Sequence, residues 1–352
     1  MTGENLVQAE ALRQFCTEAL EKAGVPGDDA KIVADVQVET DLWGIFTHGS
    51  ILIVGYIRRI KEGGTNPRPN ITVIKESPHH ALVDGDHGLG QVAAVKAMEI
   101  CVAKAGKSGI ATVGVRRSGH FGAASSYSTM ALKKDLIGFA VTNAVALLPP
   151  PGGRTGVFGT NPISFAIPTG HSYPAVLDIA TSVAAQQKIF QAYREGQKIP
   201  PEWGLDSEAN PTDDPLTALR SLLMPPMAGH KGYGLAMMVE VLSAVMTGAR
   251  FGRATEASTW RPESQIDVGH FFAALDPAMF MPIDEFKTRM ETLIADIKNV
   301  TLLEGVERVY VPGEIEYEKR EKALKNGIPL PASTVQGLEQ LREEMGIKTG
   351  LR

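Results

Sequence analysis

Imidazole is the side chain that changes charge nearest neutral pH, so the eight histidines of this 352-residue chain are its natural proton carriers. Their neighbours sort them. His48 sits in Thr47-His48-Gly49, just ahead of an apolar run at 51–60 that reads as a helix. The N–H groups and dipole of a helix start favour an anionic ligand there and disfavour a permanently charged imidazolium, which suits a proton shuttle. His120 lies in Ser118-Gly119-His120-Phe121-Gly122, between a strand-like run at 110–115 and a helix expected over 123–134. Junctions of this kind are where α/β folds collect functional residues. For either residue the plainer reading is a histidine that hydrogen-bonds a turn. His79, His80, His87 and His171 lie in polar or turn-like stretches and read as solvated, whereas His270, beside Phe271 and Phe272, reads as packed. No pair has the HExxH spacing, and no metal is expected.

His230 has the more interesting neighbour. In Gly229-His230-Lys231-Gly232-Tyr233-Gly234, three glycines at a helix start let backbone approach a ligand, and Lys231 can reach a pyrophosphate. The alternative is a capping loop with a solvated lysine. A second glycine cluster, Gly88-Leu89-Gly90-Gln91-Val92-Ala93, matches the dinucleotide fingerprint GxGxxA. However, Arg116 and Arg117 stand where that fold needs an acidic residue for the ribose, so these glycines are expected to serve close packing of a turn.

Helices and strands must position these residues. Apolar residues recur every three or four positions over 12–23 and 29–41, split by Gly24, Pro26 and Gly27. Short β-rich runs follow at 80–83, 110–115, 137–142, 163–167 and 175–179, which is α/β punctuation. Over 229–248, Leu235, Met238, Val239, Leu242, Val245 and Met246 form one helical stripe, expected to pack on a sheet. A further amphipathic helix is expected over 285–300, and a helical tail over 314–352 with a loop around Pro329 and Pro331.

Composition excludes several classes. A net charge of -5 with interspersed signs offers no basic stripe for nucleic acid, and 43% hydrophobic with 21% charged residues is ordinary for a globular protein. The apolar stretch 234–246 is too short to cross a bilayer and carries Glu240. Cys16 and Cys101 form neither a disulfide framework nor a CxxC motif, and Glu4 interrupts what an export signal would need, so a reducing cytoplasm is the expected location.

Six motifs in order resemble the type 2 malate/L-lactate dehydrogenase family: Thr47-His48-Gly49, Ser118 to Gly122, Phe158-Gly159-Thr160-Asn161-Pro162, Asp178-Ile179-Ala180-Thr181-Ser182 with Lys188, Lys231 before Gly232-Tyr233-Gly234, and Val311-Pro312-Gly313-Glu314. The resemblance runs from about residue 12 to about residue 321. It implies a homodimer with a non-Rossmann α/β fold. A helical domain would be built from both chain ends (1–75 with 285–352), and a mixed-sheet domain (76–284) would hold NAD or NADP. By the same analogy Asp178, Ile179, Ala180, Thr181, Ser182, Lys188, Lys231, Gly232, Pro312, Gly313 and Glu314 bind the cofactor. His120 and His48 face a small 2-oxo or 2-hydroxy acid as acid/base and polarising group, with Thr47, Arg117, Asn143 and Thr160 as further substrate-side residues.

Hydride transfer to C2 of such an acid needs a proton carrier for the C2 oxygen, a clamp for the acid group and a dry, oriented cofactor pocket. One departure affects the clamp. Many members carry an arginine four residues after the first histidine, where this chain has Leu52. Either Arg117, Arg58 or Arg154 substitutes, or the substrate is less polar at that end. A related branch reduces cyclic ketimines of 2-oxo acids, and a non-catalytic ligand-binding protein is a third reading.

Overall fold

The computed structural model describes residues 5–255 and 261–351; Glu4, weighed above against an export signal, lies outside them. Eleven strands are present among these residues: β1 Asn5–Val7, β2 Thr72–Glu76, β3 His80–Gly88, β4 Ile110–Ser118, β5 Ile137–Thr142, β6 Ile163–Ile167, β7 Ala175–Ile179, β8 Gly204–Leu205, β9 Pro211–Thr212, β10 Val268–Leu275 and β11 Ile328–Leu330. Seven of them form one sheet in the order β2-β3-β4-β10-β5-β6-β7. Only β3 and β4 pair in parallel, joined by helix Gly90–Ser108, and every other pair in that sheet is antiparallel. A doubly wound dinucleotide fold needs a mostly parallel sheet. This mixed sheet is therefore non-Rossmann, as the sequence led us to expect.

The second layer is helical and draws on both ends of the chain. In helix Ala9–Lys22 the buried residues Leu12, Phe15, Cys16, Ala19 and Leu20 fall on one stripe at helical spacing. They pack in one core with Val33, Val38, Ile53 and Ile57, and with Ala323, Leu338, Leu341 and Leu351 from the far end. Strand β1 pairs with β11, so the tail around Pro329 is a strand where a loop was expected. Helix Ile283–Lys298 contributes no residue to this core. Both cysteines are buried and free, and burial pushes their thiols up, Cys101 to about 12.

The stripe over 229–248, carried by helix His230–Glu240 and the π-helical turn Val241–Val245 that continues it, corrects a second expectation in part. Leu235, Met238, Val245 and Met246 are 41%, 52%, 50% and 56% exposed, so they face away from the protomer. The face that packs inward keeps Val239 from the expected stripe but otherwise carries small and polar residues: Gly232, Ala236, Glu240, Ser243 and Ala244. Gly269 on β10 explains why, since a Cβ there would fall 1.8 Å from the Ser243 carbonyl oxygen. Strand and helix approach too closely for large side chains between them.

Candidate active site

His48 is held on a turn between helices Gly27–Leu42 and Leu52–Lys61. The first helix buries Gln37 and Asp41 one turn apart on its inner face, and both fix that turn. Gln37 Nε2 donates to the Gly49 carbonyl at 3.0 Å, and Asp41 Oδ2 accepts the Ser50 N–H at 2.9 Å. A Cβ at position 49 would lie 1.8 Å from Asp41 Oδ1, which is why glycine follows the histidine. Burial pushes the Asp41 carboxyl up to about 7, against the bonds from Ser50.

His120 follows β4 on a loop fixed from three sides. Phe121 stacks between Tyr127 and His270 with ring centroids 4.7 and 4.6 Å away. The Phe121 carbonyl accepts from the Tyr127 hydroxyl. Gly122 takes φ 84°, a conformation that favours glycine. From below, helix Gly90–Ser108 starts directly against the loop: a Cβ on Gly90 would come within 2.3 Å of the Gly119 oxygen and 2.5 Å of the His120 oxygen. The glycines that mimic a dinucleotide fingerprint therefore let a helix start seat the His120 loop.

These two loops bring the histidines together. Their rings stack at 5.7 Å between centroids with 30° between planes. Both are half-buried. Burial pushes His48 down to about 4 and, with His48 alongside, His120 down to about 3, so both are neutral at physiological pH. His48 Nδ1 lies 2.9 Å from the Thr47 hydroxyl, and His120 Nδ1 lies 2.8 Å from the hydroxyl of Tyr56. A pair of neutral imidazoles in a half-buried cleft can donate or accept a proton at one small oxygenated ligand.

The other residues expected to face the ligand are placed differently. Arg117 donates to Asp84 at 3.1 Å, to Asp86 at 3.2 Å and to His87 Nε2 at 3.0 Å, so its charge is already paired. Arg58 pairs with Glu62 and Arg154 with Glu208, both on exposed surface. Leu52 packs on the terminal helical core. Asn143 is buried in a polar knot: Nδ2 donates to Glu240 and to the Arg250 carbonyl, while Oδ1 accepts the Gly269 N–H. The Thr160 carbonyl accepts the Thr181 N–H and hydroxyl at 2.8 and 2.9 Å, which couples it to the strand end that follows β7.

That strand end, from Asp178 through Ile179, Ala180 and Thr181 to Ser182, joins most of the residues expected at a cofactor. The Thr181 carbonyl accepts the Met227 N–H at 2.8 Å, and the Met227 carbonyl accepts the Gly232 N–H at 3.0 Å, which sets the helix start carrying exposed Lys231 beside it. The Pro312 carbonyl accepts the Val176 N–H at 2.9 Å, and a Cβ on Gly313 would meet Val176 at 2.8 Å. Although burial raises it, Glu314 is held below its ordinary value by Lys298, whose ammonium it binds. Asp178 accepts the Ser125 N–H at 2.8 Å; burial, with Glu316 nearby, pushes its carboxyl up. Lys188 stands apart with its ammonium 5.5 Å from the Trp203 ring. Among the described residues there is no cluster of three or more His, Cys, Asp or Glu able to hold a metal, and no helix is long and apolar enough to cross a membrane.

Tyr56, Gln37 and Gln91 were missed from sequence. The available signal was spacing: Tyr56 lies on the buried stripe of its helix with Ile53, Ile57 and Ile60, yet carries a hydroxyl that a purely structural position does not need.

Comparison with known proteins places this chain in a family. Residues 7–339 match the family model described as malate/L-lactate dehydrogenase. The chain is 40% identical to L-sulfolactate dehydrogenase of Methanocaldococcus jannaschii, covering 97% of this chain and 98% of that one. It is 34% identical to ureidoglycolate dehydrogenase (NAD(+)) of Escherichia coli strain K12, over 92% of both. The structure of malate dehydrogenase from Entamoeba histolytica superposes with a TM-score of 0.93 at 30% identity, covering 97% of this chain and 98% of that one. With a mixed seven-stranded sheet, a helical layer drawn from both termini and a stacked histidine pair between them, this chain belongs to the malate/L-lactate dehydrogenase family.

Proposed function

We propose that the chain is an NAD(P)-dependent oxidoreductase acting at C2 of a small 2-oxo or 2-hydroxy acid, with His120 as acid/base and His48 polarising the C2 oxygen. The observation that carries this reading is the meeting of two neutral imidazoles from separate loops at 5.7 Å. The chain also fits a dinucleotide. Helix His230–Glu240 begins with exposed Lys231, its dipole favouring an anion, and Gly232 lies where a Cβ would strike the Met227 oxygen at 2.2 Å. When bound, the nicotinamide supplies the hydride donor or acceptor. Asp178 to Ser182, Lys231, Gly232 and Pro312 to Glu314 would hold it, with Lys188 set apart over Trp203, while Thr47 fixes the His48 ring and Asn143 and Thr160 act through their buried hydrogen bonds.

Because Arg117, Arg58 and Arg154 are paired with other residues and Leu52 packs on the helical core, the cation that the family often carries at that position is replaced by an apolar residue. This favours a substrate less polar at that end than a dicarboxylate. Absorbance of NADH and of NADPH against pyruvate, oxaloacetate, longer apolar 2-oxo acids and a cyclic ketimine tests the reading. Turnover is expected to rise with the apolar character of the 2-oxo acid, and no turnover with any of the panel would sink it. The sign of the pH dependence follows from the histidine shifts. A base must be neutral to accept the hydroxyl proton, and a lowered value keeps it so; kcat/KM for oxidation should therefore stay flat through neutrality and fall only well below the ordinary histidine value of about 6.5. An acid limb at or above that value would contradict the burial of His120.

The outward apolar stripe supports a homodimer. Burying a leucine or methionine side chain is worth roughly 1.5–3 kcal/mol, and Leu235, Met238, Val245 and Met246 remain exposed in one protomer. Sedimentation should give twice the chain mass, with Met238→Glu shifting it toward the monomer; a monomeric wild type at micromolar concentration would refute this. Two buried free cysteines fit a reducing cytoplasm.

A further inference from the structure

Only one nitrogen of the His120 imidazole can face a ligand in the cleft, and Nδ1 is engaged within the chain. The Tyr56 hydroxyl lies 2.8 Å from it, and the Gly122 N–H points to it at 3.4 Å. The phenol is itself buried, and the amides of Gln37 and Gln91, both fully buried, face it. Gln37 Oε1 and both amide atoms of Gln91 have no settled hydrogen-bond partner. A Cβ on Gly122 would lie 3.0 Å from Gln37 Oε1, which puts that amide against the same loop. Buried amide oxygens without a partner are costly, and here they lie where a phenolic O–H can turn to them.

We propose that Tyr56 is a positioning residue that sets which nitrogen of His120 carries the proton, donating its O–H to Nδ1 in one state and accepting from Nδ1–H in the other. In the second state the phenolic O–H turns to the amide oxygen of Gln37 or Gln91. The inference rests on His120 being the acid/base. With the hydroxyl donating, as the Gly122 N–H also requires, the ring shows Nε2–H to the cleft and offers a donor to the carbonyl oxygen of a 2-oxo acid. With the hydroxyl accepting, the ring shows the Nε2 lone pair and offers an acceptor to the hydroxyl of a 2-hydroxy acid. In oxidation His120 Nε2 would take the proton as the substrate O–H bond breaks and C2–O becomes double, and a bound oxidised nicotinamide would supply the acceptor for the hydride from C2. The resulting imidazolium keeps its Nδ1–H on the Tyr56 oxygen. His48 has no comparable buried partner, because its Nδ1 meets only the hydroxyl of the adjacent Thr47.

A hydrogen bond from a charged N–H is stronger than one between neutral groups, so Tyr56 stabilises the imidazolium more than the neutral ring. Tyr56→Phe keeps the ring and its packing. It is expected to lower kcat/KM by about 10- to 100-fold and to move the acid limb of oxidation to lower pH, with NADH affinity and Tm unchanged. A merely structural role would lower turnover or Tm and leave the limb in place. A second readout needs no substrate: in 15N-histidine-labelled wild type, with the His120 signals identified by their loss in His120→Asn, Nδ1 should be unprotonated and hydrogen-bonded, and in Tyr56→Phe its resonance should move as that bond is lost. An unmoved limb or an unchanged Nδ1 resonance overturns the proposal. Failure of the dehydrogenase reading would look different, as a wild type that turns over nothing in the substrate panel.

Discussion

His120→Ala is expected to lower kcat/KM by about 10² to 10⁴-fold while NADH binds as before, because general acid/base help of this kind is worth that much. The expectation is sharp because the loop is held by residues other than the imidazole. Phe121 is clamped between two rings, and the helix start at Gly90 seats the Gly119 and His120 carbonyls from below. Removing the ring therefore removes a proton carrier without releasing the backbone. His48→Ala should cost less if it only polarises the oxygen. Steady-state kinetics beside fluorescence titration of NADH separate turnover from binding, and full turnover in His120→Ala would remove that residue from the mechanism.

Glu240→Leu should cost about 3 to 6 kcal/mol of stability, the largest effect expected of a single side chain distant from the histidines. Glu240 accepts the Gly252 N–H at 2.7 Å, Asn161 Nδ2 at 2.7 Å and Asn143 Nδ2 at 3.3 Å, all of them buried. Leucine fills the space but leaves the Gly252 N–H without an acceptor and takes one of two bonds from each of the Asn161 and Asn143 amides, which keep the Ala236 and Arg250 carbonyls; a lost partner costs about 1 to 3 kcal/mol, least where another bond remains. Burial pushes the Glu240 carboxyl up, ahead of the bonds that lower it, and Glu240→Gln keeps an acceptor for Gly252 and Asn143 while setting its NH2 against Asn161 Nδ2, so it should cost less than the leucine. Urea unfolding of the two variants measures the difference. Equal stability of Glu240→Leu and wild type would mean that the knot does not hold the segments around Asn143, Asn161 and Gly252 together.

The sequence made legible what depends on local pattern. The strands at 137–142, 163–167 and 175–179 alternate or run apolar between turn residues, and their limits match the structure. His48 and His120 could be singled out because each sits at a junction between elements. Three features were not readable, each for a definite reason. The stripe on helix His230–Glu240 looked like a core face because periodicity identifies an apolar face and cannot say what covers it. The tail strand β11 was hidden by Pro329, which an edge strand tolerates and a central strand does not. Tyr56, Gln37 and Gln91 come from three helices and meet only in the folded chain, so no spacing joins them to His120. The opposite error was avoidable: Gly88 and Gly90 have the spacing of a phosphate loop, but Arg116 and Arg117 near the end of β4 argued against it, and the mixed sheet excludes the fold that would use it.

The core that mixes residues 7–60 with residues 323–351 has a consequence for biosynthesis. The first two helices can pack on each other as they leave the ribosome, but the part of their oily side that meets residues 323–351 stays uncovered for some three hundred further residues. During translation the uncovered part of this segment is thus a client for chaperones, whereas the turn bearing His48, fixed by Gln37 and Asp41, needs no residue from 323–351. Loss of the final helix would be felt first at the opposite terminus.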